Sequence, residues 1–131
     1  MISDCPRAHT RPVTVGDIVI GGAPVVVQSM TSTDTADATA TLGQVRTLAE
    51  LGCDLVRVTL PHADAIDAFH QVCAESPVPI IADIHFDYKL ALAAITAGAA
   101  KLRINPGNIG SWDRVDAVVD AAGEAGVALR I

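Results

Sequence analysis

Three times in this chain a glycine closes a helix-like stretch and opens a short aliphatic run that carries an arginine. The runs are Gly52-Cys53-Asp54-Leu55-Val56-Arg57-Val58, Gly98-Ala99-Ala100-Lys101-Leu102-Arg103-Ile104 and, one residue shorter, Gly126-Val127-Ala128-Leu129-Arg130-Ile131. Each reads as a helix stop followed by a buried strand. An unpaired guanidinium buried in such a run is costly. Three of them on neighbouring parallel strands converge on one place, and the planar fork of arginine suits phosphate or diphosphate there.

The rest of the chain supports that repeat. Val13–Val15 and Ile18–Ile20 read as a hairpin turning at Gly16-Asp17. Strands are expected over residues 25–29, 54–59, 80–84 and 101–104, with a fifth beginning at Val127. Between them lie helices over residues 37–51, around Ile66, Phe69 and Cys73, over 88–97 and over 112–125. Asp37, Asp87 and Ser111 stand as N-caps and Gly52 as a stop. Helical spacing puts Leu42, Val45, Leu48 and Leu51 on one apolar face, and Val115, Val118, Val119 and Ala122 on another.

The strand starts recur every 25 residues or so, the step of a βα unit in a parallel sheet. An open doubly wound sheet and a (β/α)8 TIM barrel share this pattern. No Gly-x-Gly-x-x-Gly follows the first strand, which weakens the former. The regular step and the leading hairpin favour a barrel plugged at its bottom. A full barrel needs about 200–250 residues, so an α/β, incomplete TIM barrel of about five parallel strands plus an N-terminal β-hairpin is expected. Residues 1–12 read as a loose segment and 13–131 as the partial barrel, which stops inside its fifth strand.

Composition removes several functions. Net charge is −6 and only 3% of residues are aromatic, a poor basis for nucleic-acid binding. The longest apolar stretch, Leu90–Ala100, falls well short of the roughly 20 residues of a membrane span. Cys5, Cys53 and Cys73 are isolated and lack metal spacing, which points to a reducing, cytoplasmic setting. Trp112, at a helix start, reads as a packing residue. His9, His62 and His70 have no motif around them and read as surface residues.

Active sites of βα barrels lie at the C-terminal ends of the strands. Polar groups collect at those ends here: Gln28 and Ser29, Arg57 and Thr59, Asp83 and His85, Arg103 and Asn105, and Arg130. Residues i and i+2 of a strand share a face, so each pair can aim into the barrel mouth. Asp83 and His85 form an acid/base or hydrogen-bonding pair suited to a polyol, and are the catalytic candidates. Two such groups are too few to indicate a metal, and none is assigned. Asn105-Pro106-Gly107-Asn108-Ile109-Gly110 reads as a glycine-rich loop entering a helix, where backbone N–H groups suit a phosphate oxygen.

Val27-Gln28-Ser29-Met30-Thr31, Asp54-Leu55-Val56-Arg57-Val58, Ala82-Asp83-Ile84-His85-Phe86-Asp87-Tyr88 and Leu102-Arg103-Ile104-Asn105-Pro106-Gly107-Asn108-Ile109-Gly110 stand in the order seen in one family. From about Thr10 to Ile131 the chain resembles 4-hydroxy-3-methylbut-2-enyl-diphosphate synthase, of the methylerythritol phosphate route to isoprenoids. The resemblance implies a TIM barrel joined to a smaller C-terminal domain with a 4Fe-4S cluster. It implies reductive opening of 2-C-methyl-D-erythritol 2,4-cyclodiphosphate, with ferredoxin or flavodoxin as electron donor and a homodimer when full-length. It assigns Arg57, Arg103 and Arg130 to the diphosphate, and Asp83, His85 and Asn105 to the surroundings of polyol and diphosphate. Cys5, Cys53 and Cys73 do not match the family's cluster ligands, so the chain carries the substrate half and is expected to be inactive alone. The residues alone also allow a phosphosugar aldolase or epimerase barrel, or a non-catalytic anion-binding remnant.

Overall fold

The stops and caps written in the sequence set the helix limits. A computed structural model describes residues 10–22 and 24–131; residues 1–9, with Cys5, His9 and most of the segment expected to be loose, lie outside it. Helix α1 spans Ala38–Glu50, α2 Ile66–Glu75 and α3 Tyr88–Ala97. Helix α4 is the single turn Pro106–Ile109, and α5 spans Trp112–Ala125. The Asp37 carboxylate accepts from the Ala40 N–H at 3.0 Å and that of Asp87 from the Lys89 N–H at 2.9 Å. Each answers one of the donors a helix start leaves unpaired. Gly98 ends α3 at φ +105°, a left-handed conformation that only glycine adopts without strain. The same stop recurs at Gly52 and Gly126.

Strands β1 (Val13–Val15) and β2 (Ile18–Ile20) form the antiparallel hairpin. Strands β3 (Gln28–Met30), β4 (Leu55–Thr59), β5 (Ile80–Asp83), β6 (Lys101–Arg103) and β7 (Ala128–Arg130) form a wholly parallel sheet in the order β3-β4-β5-β6-β7. Spatial order equals chain order. A doubly wound sheet reverses its strand order at a switch point, and this one does not.

The two faces of the sheet carry different cargo. Val56, Val58, Ile80, Ala82, Ile84, Leu102 and Ile104 point to the helices, where they pack with Leu42, Val45, Phe69, Val72, Ala91, Ala94, Val115 and Val118. Burying each of the larger aliphatic side chains contributes about 1.5–3 kcal/mol. On the other face Leu55 and Ile81 meet Val15, with Ile18, Ile20, Val26, Ala100 and Ala128 around them. The helices therefore coat one face, and the hairpin closes the strand-start end of the other. That is a barrel wall with its bottom plug.

Several expectations change. The first sheet strand lies at Gln28–Met30, not residues 25–29, and Val25 is 88% exposed. Val27 caps the strand start instead: its N–H donates to Asp54 Oδ2 at 2.8 Å and its carbonyl accepts from the Asp54 N–H at 2.8 Å. Gln28 thus lies level with Leu55, at the bottom of the sheet rather than at its mouth. The stretch read as a glycine-rich loop forms the helical turn α4. Leu51 and Val119 fall off their apolar faces and are exposed, and Trp112, expected to pack, is 76% exposed. Among the described residues no helix is long and apolar enough to cross a membrane.

Candidate anion-binding site

Strand register decides which side chains meet. Thr59, Asp83, Arg103 and Arg130 are successive Cα partners, so they form one level across β4 to β7. Met30, Arg57, Ile81, Lys101 and Ala128 form the level below. Both levels face away from the helices, because the residues between them, Val58, Ala82, Leu102 and Leu129, pack on the helical side. The arginines of β4, β6 and β7 thus share the inner face near the C-terminal strand ends. The i, i+2 rule that groups Arg103 with Asn105 applies equally to Lys101, a cation on the same face.

Asp83 stands at the centre. It is 1% exposed and faces three side chains. Arg57 Nη2 donates to its Oδ2 at 2.7 Å. Arg103 Nη1 lies 3.5 Å from Oδ1 and His85 Nε2 lies 3.6 Å from Oδ2, both beyond ordinary hydrogen-bond length. Oδ1 and Arg57 Nε are buried without a hydrogen-bond partner, so the arginine grips the carboxylate with one arm rather than two. Asp83 is therefore an interior counter-ion that orients Arg57 and Arg103. It is not a rim carboxylate open to a ligand, as the sequence suggested. His85 is half-exposed just past the end of β5.

The positive charge exceeds what Asp83 balances. Arg130 is exposed and makes no ion pair among the described residues. Lys101 is half-buried, and its pKa is pushed below 10.5, first by burial and then by the charge of Arg130. Asn105 is separated from this group by its own task. Its Oδ1 accepts from the Gly107 N–H at 3.1 Å, capping α4. The wall behind the site is fixed by the loop from β3 to α1. There Thr35 Oγ1 donates to the Thr59 carbonyl at 2.7 Å, and the Ser32 N–H donates to Gln44 Oε1 at 2.8 Å. Four cations against one buried carboxylate make a sheet face suited to a polyanion.

Among the described residues the cysteines stand apart from one another and from other metal-ligating side chains. Iron–sulfur clusters are held by thiolates. Cys53 and Cys73 are free, and burial pushes the Cys73 thiol up to about 12. No three His, Cys, Asp or Glu side chains come together as a metal site among the described residues.

Comparison with known proteins places this wall in a family. Residues 10–131 match the family model described as the GcpE TIM-barrel domain. The 4-hydroxy-3-methylbut-2-en-1-yl diphosphate synthase (flavodoxin) of Natranaerobius thermophilus is 54% identical over 126 residues, 95% of this chain and 35% of that protein. The protein of the same name from Maridesulfovibrio salexigens is 55% identical, covering 95% of this chain and 35% of its own length. That from Chromohalobacter salexigens is 52% identical over 132 residues, 100% of this chain and 36% of the relative. The chain thus spans about a third of the curated relatives it matches. Among solved structures, the dihydropteroate synthase of Stenotrophomonas maltophilia superposes with a TM-score of 0.67 at 20% identity, over 92% of this chain and 46% of that one. The Xanthomonas albilineans dihydropteroate synthase gives 0.61 at 17% identity, over 90% of this chain and 48% of that one. These two likenesses are of fold alone. With 122 consecutive residues matching the family model, from residue 10 to residue 131, the chain belongs to the GcpE family and supplies part of its TIM-barrel domain.

Proposed function

We propose that this chain is the substrate-binding wall of a 4-hydroxy-3-methylbut-2-en-1-yl diphosphate synthase. In that reading Arg57, Arg103 and Arg130 hold the diphosphate of 2-C-methyl-D-erythritol 2,4-cyclodiphosphate while the ring is reductively opened. The observation that carries it is the level shared by Asp83, Arg103 and Arg130, with Arg57 fixed to Asp83 from the next strand. Asp83 keeps two guanidinium groups pointed inward and neutralises only part of their charge. A phosphoryl group entering the mouth supplies the missing negative charge and accepts their remaining N–H donors. His85, beyond the buried carboxylate, is positioned to exchange a hydrogen bond with a hydroxyl of the sugar-derived chain. Asn105, its carbonyl oxygen committed to the α4 cap, offers its amide N–H groups to a phosphoryl oxygen.

A 4Fe-4S cluster would supply the electrons for this chemistry. In this reading the cluster is held by residues of the whole protein other than Cys53 and Cys73. The relatives' names specify flavodoxin, and flavodoxin is the electron donor proposed here, with ferredoxin as the alternative. The test is equilibrium binding of the cyclodiphosphate to the whole protein. Arg103→Met and Arg130→Met are each expected to weaken binding by about 1.5–3 kcal/mol, the worth of a charge-assisted hydrogen bond. Unchanged affinity in both variants would leave Arg103 as a structural partner of Asp83 and Arg130 as a solvated strand-end residue, and refute the reading.

A further inference from the structure

Lys101 opens β6 on the inner face, level with Arg57 and two residues before Arg103. Its neighbours on that level are Ile81 of β5 and Ala128 of β7. Both belong to the apolar floor that Leu55, Val15, Ile18 and Ile20 complete. The charged groups nearest it by register are Arg57 on β4, Asp83 on β5, Arg103 on its own strand and Arg130 on β7, with His85 at the rim. Asp83 is already engaged by Arg57 at 2.7 Å and Arg103 at 3.5 Å. Among the described residues Lys101 itself makes no ion pair.

A half-buried ammonium within reach of the Arg130 charge, without a counter-ion, is an unfavourable arrangement in the free protein. The chain does not lack carboxylates, since Asp and Glu number 15 against 9 Lys and Arg. The cation is therefore left unneutralised where neutralisation was available. The geometry points to Lys101 as a fourth phosphate-binding group, reaching the anion from the floor of the barrel while Arg103 and Arg130 hold it from the rim. The inference rests on the reading of this wall as a diphosphate site and adds Lys101 to the groups that hold it. A lysine fits the floor position because it delivers a compact charge on a flexible stem and needs no planar partner. Binding should then be linked to protonation. Burial and Arg130 disfavour the charged form of Lys101 in the free protein, and a bound phosphoryl group restores it. In alkaline solution binding then draws a proton from solvent.

The experiment is calorimetric titration of the whole protein with inorganic pyrophosphate, comparing the natural sequence with Lys101→Met, Lys101→Arg and Arg103→Met. Lys101→Met is expected to lower affinity about ten-fold, and Lys101→Arg to keep it within about three-fold. Weaker binding in Arg103→Met with no change in Lys101→Met overturns the role of Lys101 and leaves the arginine site standing. No change in either variant overturns the anion site itself. Should Lys101→Met fail to fold, Lys101→Gln decides: affinity about ten-fold lower is expected, and unchanged affinity overturns the proposal.

Discussion

Arg57 Nη2 reaches from β4 to within 2.7 Å of Asp83 Oδ2 on β5, and the carboxylate it holds is 1% exposed. The pair links the stability of the sheet to the architecture of the site. Removing the guanidinium leaves a buried charge facing Arg103 at 3.5 Å and His85 at 3.6 Å, neither within ordinary hydrogen-bond length. Arg57→Met is therefore expected to destabilise the fold by about 2–4 kcal/mol, and Asp83→Asn by about 1–2 kcal/mol. A double-mutant cycle in urea should give a coupling above about 1 kcal/mol. Additive losses would mean that the contact is incidental to folding.

The repeated glycine, aliphatic run and arginine carried most of the architecture. Gly98 and Asp87 fixed both ends of α3 at the residues expected, because caps and stops are decided by neighbours in sequence. Alternation along a strand placed Asp83, Arg103 and Arg130 on the inner face for the same reason. Burial was less legible. Asp83 lies inside rather than on the rim because Arg57 crosses from the level below, a contact that depends on strand register. Val25–Val27 read as strand because they are β-branched, yet the sheet begins at Gln28, where Asp54 caps Val27. Asn105-Pro106-Gly107 read as a loop, but the Asn105 cap and a proline in the first turn start a helix there. Lys101 was missed because it sits at a strand start, where charge usually marks a solvated end.

The hairpin plug depends on Gly16. Its φ is +60°, and a Cβ there would lie 2.7 Å from Pro79 Cγ and 3.1 Å from Pro79 Cβ. Gly16→Ala is expected to cost about 2–3 kcal/mol, from backbone strain together with a clash against a stiff ring. Gly22 has φ +87° and open space around it, so Gly22→Ala isolates the backbone term at about 1 kcal/mol. Thermal melts of both variants check the difference. Equal losses would show that the plug tolerates the extra carbon.

Cys73 packs in the helix layer, where a Cβ on Gly98 would lie 3.5 Å from its own. Burial raises its pKa from 9.0 to about 12. The raised value means that the folded state retains the thiol proton longer than the unfolded chain. The associated stability is fully present below 9.0 and is lost as the pH climbs toward 12. Stability measured across this range should fall more steeply in the natural sequence than in Cys73→Ala. A thiol reagent at about pH 8 should label the half-buried Cys73 more slowly in the folded protein than in the unfolded chain. Fast labelling of Cys73 in the folded protein would contradict its burial.

His85 separates structure from chemistry in this site. Its side chain is 46% exposed against 1% for Asp83, and its Nε2 stands 3.6 Å from Asp83 Oδ2, too far for a firm hydrogen bond. Phe86 beside it is 73% exposed, with the ring centroids 6.1 Å apart. Little packing is therefore lost with the imidazole, and His85→Ala should change fold stability by no more than about 0.5 kcal/mol. Turnover of the cyclodiphosphate by the whole protein should nevertheless fall, by about 10²-fold if the imidazole moves a proton and by about ten-fold if it only orients a hydroxyl. His85→Gln, which keeps a hydrogen-bonding group but cannot carry a proton, distinguishes the two: it restores activity in the second case and not in the first. Asp83→Asn, by contrast, should lower stability and turnover together, because it loosens Arg57 and Arg103 at once. Full turnover in His85→Ala would make this histidine a solvated strand-end residue and leave the arginines as the functional content of the wall.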